Sequence, residues 1–286
     1  MPSGVYRTLT IATAHRCYVV LRGDDMIGEE MGDDLHTPTD WRSWIERWDQ
    51  QQERYRPHRE DGIQALVSTV AGIASQGRAT VLDLACGCGS ITTRLLARLP
   101  QLDLVALDRD PVLLRIAQGL FNASPAVAIV EADLYKNDWA ATLGDCRFDA
   151  VVTATSLHWL PAPTLQRLYH DLSSLLRPGG VFANLDWMPI AHAPQLEAMA
   201  SAYVRSHEED MARIAPDSPT WDDWWRAVAN EPALSAELLQ RQQLVEMPAE
   251  FMPAADWHVQ ALLASAFSEA AETWRCFSSA VVVAVR

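Results

Sequence analysis

The chain has 286 residues and a formal net charge of −14 at pH 7, with 23 Lys and Arg against 37 Asp and Glu. That acidity argues against a nucleic-acid binder, whose affinity comes from Lys and Arg releasing phosphate counterions, and against an anionic membrane surface for the same reason. The length suits one α/β domain with decorations, and no run of eighteen apolar residues is present to span a bilayer.

Residues 1–38 read as an N-terminal arm and residues 39–286 as the domain proper. Arg7, His15 and Arg16 lie near an apolar Cys17-Tyr18-Val19-Val20-Leu21, which is too short for a leader and lacks a small-residue cleavage pattern. Three readings stay open for it: a β-strand, an ordered arm, or the product of a start codon ahead of Met26 or Met31. From Asp40 to Arg59, Trp41, Trp44, Ile45 and Trp48 recur at i, i+3, i+4 and i+7, one face of an amphipathic helix capped by Thr39 or Asp40. Those tryptophans serve either the core or a helix that closes over a ligand. A second helix spans Asp61 to Ser75 and stops before Gly77.

Short apolar runs then alternate with helical segments, the signature of βαβ units around a parallel sheet. Strands are expected at Thr80–Leu84, Leu102–Leu107, Val127–Glu131, Phe148–Thr153 and Val181–Leu185, with helices at Ile91–Arg98, Pro111–Phe121 and Leu165–Leu176. After Asp186 the chain turns to Trp-rich helices punctuated by prolines, and residues 187–240 read as a lid inserted between late strands. The β-branched run Ser279–Val285 suits a buried final strand, with Gln242–Glu246 as its expected antiparallel partner. The expected fold is therefore α/β: a Rossmann-like, mostly parallel, seven-stranded sheet with helices on both faces, N-terminal helices and a helical lid insertion.

The segment Val81-Leu82-Asp83-Leu84-Ala85-Cys86-Gly87-Cys88-Gly89 runs from an apolar strand into a turn with two glycines and then a helix. Glycine lets backbone approach a ligand, and the helix start presents free N–H groups. Thr92 stands where the third glycine of a dinucleotide fingerprint belongs, which argues against a nicotinamide-dependent oxidoreductase. Asp83 would repel a pyrophosphate but suits a ligand carrying an ammonium group. Cys86 and Cys88 have no second Cys or His pair at zinc-ligand spacing, so no metal is expected. The five cysteines, Cys17, Cys86, Cys88, Cys146 and Cys276, are odd in number and scattered, which fits a reducing, cytoplasmic compartment.

Asp83-Leu84-Ala85-Cys86-Gly87-Cys88-Gly89 resembles motif I of class I S-adenosylmethionine-dependent methyltransferases, and later motifs follow in order. Leu104-Val105-Ala106-Leu107-Asp108 resembles the second strand, Ala132-Asp133-Leu134 the third motif, Phe148-Asp149-Ala150-Val151-Val152-Thr153 the fourth strand, and Leu175-Leu176-Arg177-Pro178-Gly179-Gly180 the turn before the fifth. The likeness covers about Thr80 to Leu185, and the loop Ala154–Leu160 resembles that of small-molecule enzymes similar to trans-aconitate methyltransferase. It implies S-adenosylmethionine as cofactor, with Asp83, Ala85, Gly87 and Gly89 around the methionine moiety and Asp108 and Arg109 at the ribose. Asp133 and the backbone of Leu134 would meet the adenine, and Thr153 would close the fourth strand beside it.

The same resemblance places Ala154-Thr155-Ser156-Leu157-His158-Trp159-Leu160 against the sulfonium and the acceptor. His158 is a candidate general base, or it only hydrogen-bonds its own loop. Asp186 and His192, beyond the fifth strand, are candidate acceptor-site residues, with a capping role open to Asp186. Tyr55 and Arg59 could reach the methionine carboxylate or belong to a solvated helix face. Trp159 would border the acceptor, and Trp221, Trp224 and Trp225 either wall it in or pack the lid against the sheet. The expected function is methyl transfer to a small, partly apolar or cationic acceptor in secondary metabolism, by a monomer or homodimer. The alternative is a methyltransferase-fold protein acting as a cyclase or a small-molecule-binding protein.

Overall fold

In the computed structural model the described residues are 6–11, 17–22, 39–75, 77–244 and 250–286. Strands β1 (Tyr6–Ile11) and β2 (Cys17–Arg22) pair antiparallel as a two-stranded sheet, so the apolar run at Cys17 is a strand. Helix α1 (Trp41–Tyr55) starts at Asp40, whose side chain accepts from the backbone N–H of Arg42 and Ser43 at 3.1 and 3.3 Å. Helix α2 (Arg59–Ala74) follows, turning Ile63, Leu66, Val67 and Val70 into the core.

The Rossmann-like sheet then builds as β3 (Thr80–Leu84), α3 (Ser90–Arg98), β4 (Asp103–Asp108), α4 (Pro111–Phe121), β5 (Val127–Glu131), β6 (Phe148–Ala154), α5 (Ala162–Leu175) and β7 (Leu176–Trp187). Four helices come next: α6 (Pro194–Ile214), α7 (Trp221–Ala229), α8 (Ser235–Arg241) and α9 (Ala255–Leu263). Strands β8 (Glu269–Cys276) and β9 (Ser279–Val285) finish the chain. Strand order is β5-β4-β3-β6-β7-β9-β8, parallel except for β9 and β8. The order reverses between β3 and β6, and in open α/β sheets the crevice beyond that switch point takes the ligand.

One expectation is corrected here. The antiparallel partners of β9 are β7 and β8, not Gln242–Glu246. Residues 242–244 close α8 as a turn, and residues 245–249 lie outside the described set. Strand β8 is missed because its sequence, EAAETWRC, carries the solvated side chains of an edge strand rather than an apolar run. Strand β7 also begins five residues early, taking in Arg177-Pro178-Gly179-Gly180, with a register shift against β6 between Phe148 and Ala150.

The sheet is apolar on both faces, as parallel strands must be. One face meets α5 and α9 through Leu82, Leu84, Val151 and Phe182; the other meets α2 and α3 through Val81, Leu104, Val152 and Ala183. A third cluster joins α1, α4 and α7, with Trp44 and Trp224 crossing edge-on at 5.7 Å between ring centres. Trp41 lies flat against α4 at Gly119, where a Cβ would stand 2.3 Å from the indole. Among the described residues no helix is long and apolar enough to cross a membrane.

Candidate functional site

The turn after β3 adopts left-handed backbone three times, at Ala85 (φ 56°), Gly87 (φ 56°) and Gly89 (φ 93°). For alanine that conformation costs about 1–2 kcal/mol, so the strain sits beside the switch point. A Cβ on Gly89 would stand 2.5 Å from Phe121 Cε2, whereas one on Gly87 would meet nothing closer than Leu113 Cδ1 at 3.8 Å. Gly89 is therefore demanded by packing within the protein. Gly87 has room, and its freedom serves backbone shape and approach from outside.

Asp108 ends β4 and holds this turn. Its Oδ2 accepts from Gly87 N at 2.8 Å, and its Oδ1 accepts from Arg109 N and Asp110 N at 2.7 and 2.9 Å. Burial raises its pKa against the pull of those N–H groups. Three of roughly four lone-pair directions are used, leaving one for an incoming hydroxyl. Asp83 is 1 % exposed; its Oδ2 accepts from Thr92 N at 3.0 Å and Thr92 Oγ1 at 2.7 Å, while its Oδ1 has no partner. Burial pushes its pKa up to about 7, with the Thr92 bonds opposing. Thr92 thus braces the start of α3 to the end of β3.

On the next loop, Asp133 Oδ1 accepts from Tyr135 N at 3.0 Å and lies 3.5 Å from Arg109 Nη1, and Leu134 is buried. The Arg109 guanidinium sits over the Tyr135 ring, 5.5 Å from its centre. Asp108, Arg109 and Asp133 are therefore brought together. Arg59, 7 % exposed, pairs with Asp49 at 3.0 Å, and its Nη1 is buried without a partner. Asp49 also takes Ser90 Oγ and Arg94 Nη1, so this charge network lies under the start of α3. Tyr55 is turned elsewhere: its hydroxyl accepts from Trp221 N at 3.3 Å.

Beyond β6 and β7 the structure joins two residues that lie 28 apart in the chain. His158 Nδ1 stands 2.7 Å from Asp186 Oδ1, and Asp186 Oδ2 accepts from His158 N at 3.2 Å. Both are buried, at 5 % and 2 %. Burial raises the Asp186 pKa, but the His158 hydrogen bond and the charges of His158 and Arg56 outweigh it and hold the carboxyl below its ordinary range. Nε2 of His158 makes no hydrogen bond among the described residues. Thr153 is buried with its hydroxyl 2.7 Å from Ser156 Oγ, and Trp159 lies 5.0 Å from the His158 ring, its carbonyl accepting from Tyr135 Oη. Thr155 next to this strand end is also left-handed, at φ 52°.

Other candidates fall away from that pair. His192 is exposed on the turn after β7. Trp221 contacts Trp48 and Trp225, Trp224 is fully buried between Trp44 and Trp48, and Trp225 carries Arg241 over its ring at 3.9 Å. None of the three shares a ring contact or hydrogen bond with His158 or Asp186. Three buried groups escaped sequence reading: Asn184, with both side-chain polar atoms unpartnered, and the pair Tyr169 and His258, whose hydroxyl and Nδ1 lie 2.6 Å apart. Burial pushes the His258 pKa down to about 4. Among the described residues no group of three His, Cys, Asp or Glu could hold a metal ion.

Comparison with known proteins bears on the same segment. Residues 81–180 match a family model described as a methyltransferase domain. A trans-aconitate 2-methyltransferase of Azoarcus sp. is 34% identical over 136 residues, 48% of this chain and 49% of that protein. A malonyl-[acyl-carrier protein] O-methyltransferase of Paenibacillus sp. is 30% identical over 143 residues, 48% of this chain and 50% of that protein. The chain thus spans about half the length of the curated relatives it matches. Among solved structures, the CurJ carbon methyltransferase superposes with a TM-score of 0.56 at 13% identity, covering 83% of this chain and 57% of that one. An O-methyltransferase family protein from Burkholderia thailandensis gives 0.51 at 18% identity, covering 86% and 69%. These likenesses establish the fold.

Proposed function

We propose that this chain is a class I methyltransferase, as the match of residues 81–180 to a methyltransferase-domain model supports, and that it binds S-adenosylmethionine beyond the ends of β3 and β4. Its methyl group then passes to a small-molecule acceptor beyond β6 and β7. The partnerless oxygen of buried Asp83 supports the cofactor site, because a buried carboxylate needs a donor and an ammonium group satisfies it. Arg59, with one buried N–H group unused, is the counterpart for the methionine carboxylate. Asp108 keeps one lone-pair direction for a ribose hydroxyl, and Asp133 with the backbone of Leu134 borders the adenine. Ala85, Gly87 and Gly89 shape the turn that makes room, and Thr153 closes the far side.

When bound, S-adenosylmethionine supplies a methyl group already activated on a positive sulfur. The chain's own task is alignment, together with proton removal from a hydroxyl or carbon acceptor. That removal falls to His158. Asp186 holds the Nδ1–H, fixing the tautomer that leaves Nε2 as the proton acceptor, and it stabilises the ring once protonated. The 2.7 Å His158–Asp186 contact is the observation that carries this reading. Trp159 borders the acceptor, and residues 187–240 act as a lid over the crevice.

The test is a mass-spectrometric screen for S-adenosylhomocysteine released in the presence of small hydroxy, phenolic and amine acceptors. The His158→Ala protein is expected to lose about 100-fold or more in turnover while its affinity for S-adenosylhomocysteine stays within twofold of wild type. Equal loss of both would remove His158 from the base role. A wild-type protein that binds the cofactor yet methylates nothing in the screen would favour the cyclase or binding-protein alternative.

A further inference from the structure

Two loops at the carboxyl ends of neighbouring parts of the sheet are joined by one hydroxyl group. The first loop follows β5. Asp133 Oδ1 accepts from Tyr135 N at 3.0 Å and Asp133 O accepts from Lys136 N at 2.9 Å, which closes residues 133–136 into one tight turn. Arg167, on α5, fastens that turn, its Nη2 donating to Leu134 O and Tyr135 O at 3.0 and 3.2 Å. The Tyr135 side chain leaves the turn with the Arg109 guanidinium over its ring, 5.5 Å from the centre, and Arg109 Nη1 lies 3.5 Å from Asp133 Oδ1. A ligand that fixes Asp133 and Leu134 therefore fixes Tyr135 as well.

The second loop follows β6 and carries His158. It opens at Thr155 in left-handed backbone, φ 52°, which is unfavourable for a β-branched residue and lasts only where neighbours enforce it. Thr155 N donates to Leu185 O at 2.8 Å, His158 N to Asp186 Oδ2 at 3.2 Å, and Phe251 N to His158 O at 2.8 Å. The Tyr135 hydroxyl donates to the next carbonyl, Trp159 O. Successive carbonyls are thus held from two different elements, and Tyr135 supplies the hold from the cofactor side. Proton removal needs Nε2 within hydrogen-bond reach of its target, so a backbone shift of about 1 Å in this loop is costly in rate.

We propose that Tyr135 is a positioning residue that couples occupancy of the cofactor site to the placement of the His158 loop. A nucleoside seated on Asp133 and Leu134 stills the turn, the Tyr135 ring loses freedom between that turn and Arg109, and its hydroxyl stays on Trp159 O for more of the time. The hydrogen bond is present in the unliganded chain, so what changes is how often the loop opens and not its closed shape. By reciprocity, an acceptor held against Trp159 and His158 tightens the cofactor by the same factor. The inference rests on the cofactor reading above and adds to it a link from the adenine end to the base.

The test is hydrogen exchange by mass spectrometry on the full chain, free and saturated with S-adenosylhomocysteine. It is read on a peptide covering residues 155–160 and, for reference, on β8 at the edge of the sheet. In the wild type, saturation is expected to slow exchange in residues 155–160 at least about fivefold, the low end of coupling between sites, and to leave β8 unchanged. Tyr135→Phe keeps the ring under Arg109 and deletes only the donor. Its calorimetric affinity for S-adenosylhomocysteine is expected to stay within about twofold of wild type, because the loop is already closed without ligand. The slowing is expected to shrink below about twofold. The bound-to-free ratio is the readout because a loop that is merely loosened exchanges faster in both states and keeps its ratio. The same ratio in Tyr135→Phe as in wild type would overturn the coupling. So would wild-type exchange that ignores the ligand, an arm that needs no variant to fold. Absence of S-adenosylhomocysteine binding to the wild type strikes the cofactor reading and the coupling with it, whereas binding without slowed exchange strikes the coupling alone.

Discussion

Replacing Asp83 by Asn trades stability against binding in a way that pH exposes. Burial takes the folded pKa from 3.8 to about 7. A carboxyl whose folded pKa is raised holds its proton more tightly in the fold than in the unfolded chain. It therefore lowers stability progressively as pH climbs through that interval. At about 1.4 kcal/mol per pH unit, the ionised side chain costs the wild-type fold about 4 kcal/mol at pH 8. Asn keeps an oxygen for the two Thr92 bonds but puts an NH₂ group where the lone oxygen stood, at a cost of about 1–3 kcal/mol. That cost does not depend on pH, so the difference between variant and wild type isolates the ionisation. Urea unfolding at pH 5 and pH 8 is the assay. The stability of Asp83→Asn relative to wild type should rise by about 2–3 kcal/mol across that range, leaving the variant the more stable protein at pH 8. If the proposed cofactor site is right, saturating S-adenosylhomocysteine should reverse the order, because its ammonium group would pair with the Asp83 carboxylate and not with an amide. A difference that stays flat from pH 5 to pH 8 would refute the claim that Asp83 is a buried carboxyl awaiting a cation.

His258 acts in the opposite sense. Its pKa falls from 6.5 to about 4, so the stability of the neutral ring is full above pH 6.5 and is lost as pH drops towards 4, by up to about 3 kcal/mol. His258→Gln keeps an acceptor for Tyr169, and its unfolding free energy should fall less than that of wild type between pH 6.5 and 4.5. Gly89→Ala should cost about 1–3 kcal/mol in thermal unfolding from left-handed strain and the clash with Phe121. Adding Phe121→Leu should return only the clash. Asp186→Asn should lower turnover about as much as His158→Ala, and the double variant should fall little further, since the pair works as one unit; additive losses in kcat would separate them.

Much of the sheet is legible in the sequence because parallel strands buried on both faces are continuous apolar runs ended by acids and glycines. Leu104 to Asp108 and Phe148 to Thr153 are of that kind, and both fall within strands. Strand β8 is not legible, because an edge strand in water needs no apolar pattern, and its absence sent the expected pairing to residues 242–246. Asp83, Asp108 and Asp133 announce themselves at strand ends, whereas the use of Thr92 as a brace to Asp83 depends on how α3 is laid against β3. His158 and Asp186 were each visible singly. Their contact is created by the parallel register that sets Thr153 beside Asn184 and Ala154 beside Leu185. The tryptophans of α7 show the limit of pattern reading, since an aromatic run reads alike whether it faces a ligand or Trp44 and Trp48.

Cofactor capture by the turn after β3 and the acid that closes β4 is most directly tested by calorimetric titration of S-adenosylhomocysteine into the wild-type and Asp108→Ala proteins. The account predicts one saturable site per chain in the wild type and an affinity at least about tenfold weaker in Asp108→Ala, which loses both the hydroxyl acceptor and the tether to Gly87. No heat in the wild-type protein, or the same affinity in both, would contradict it.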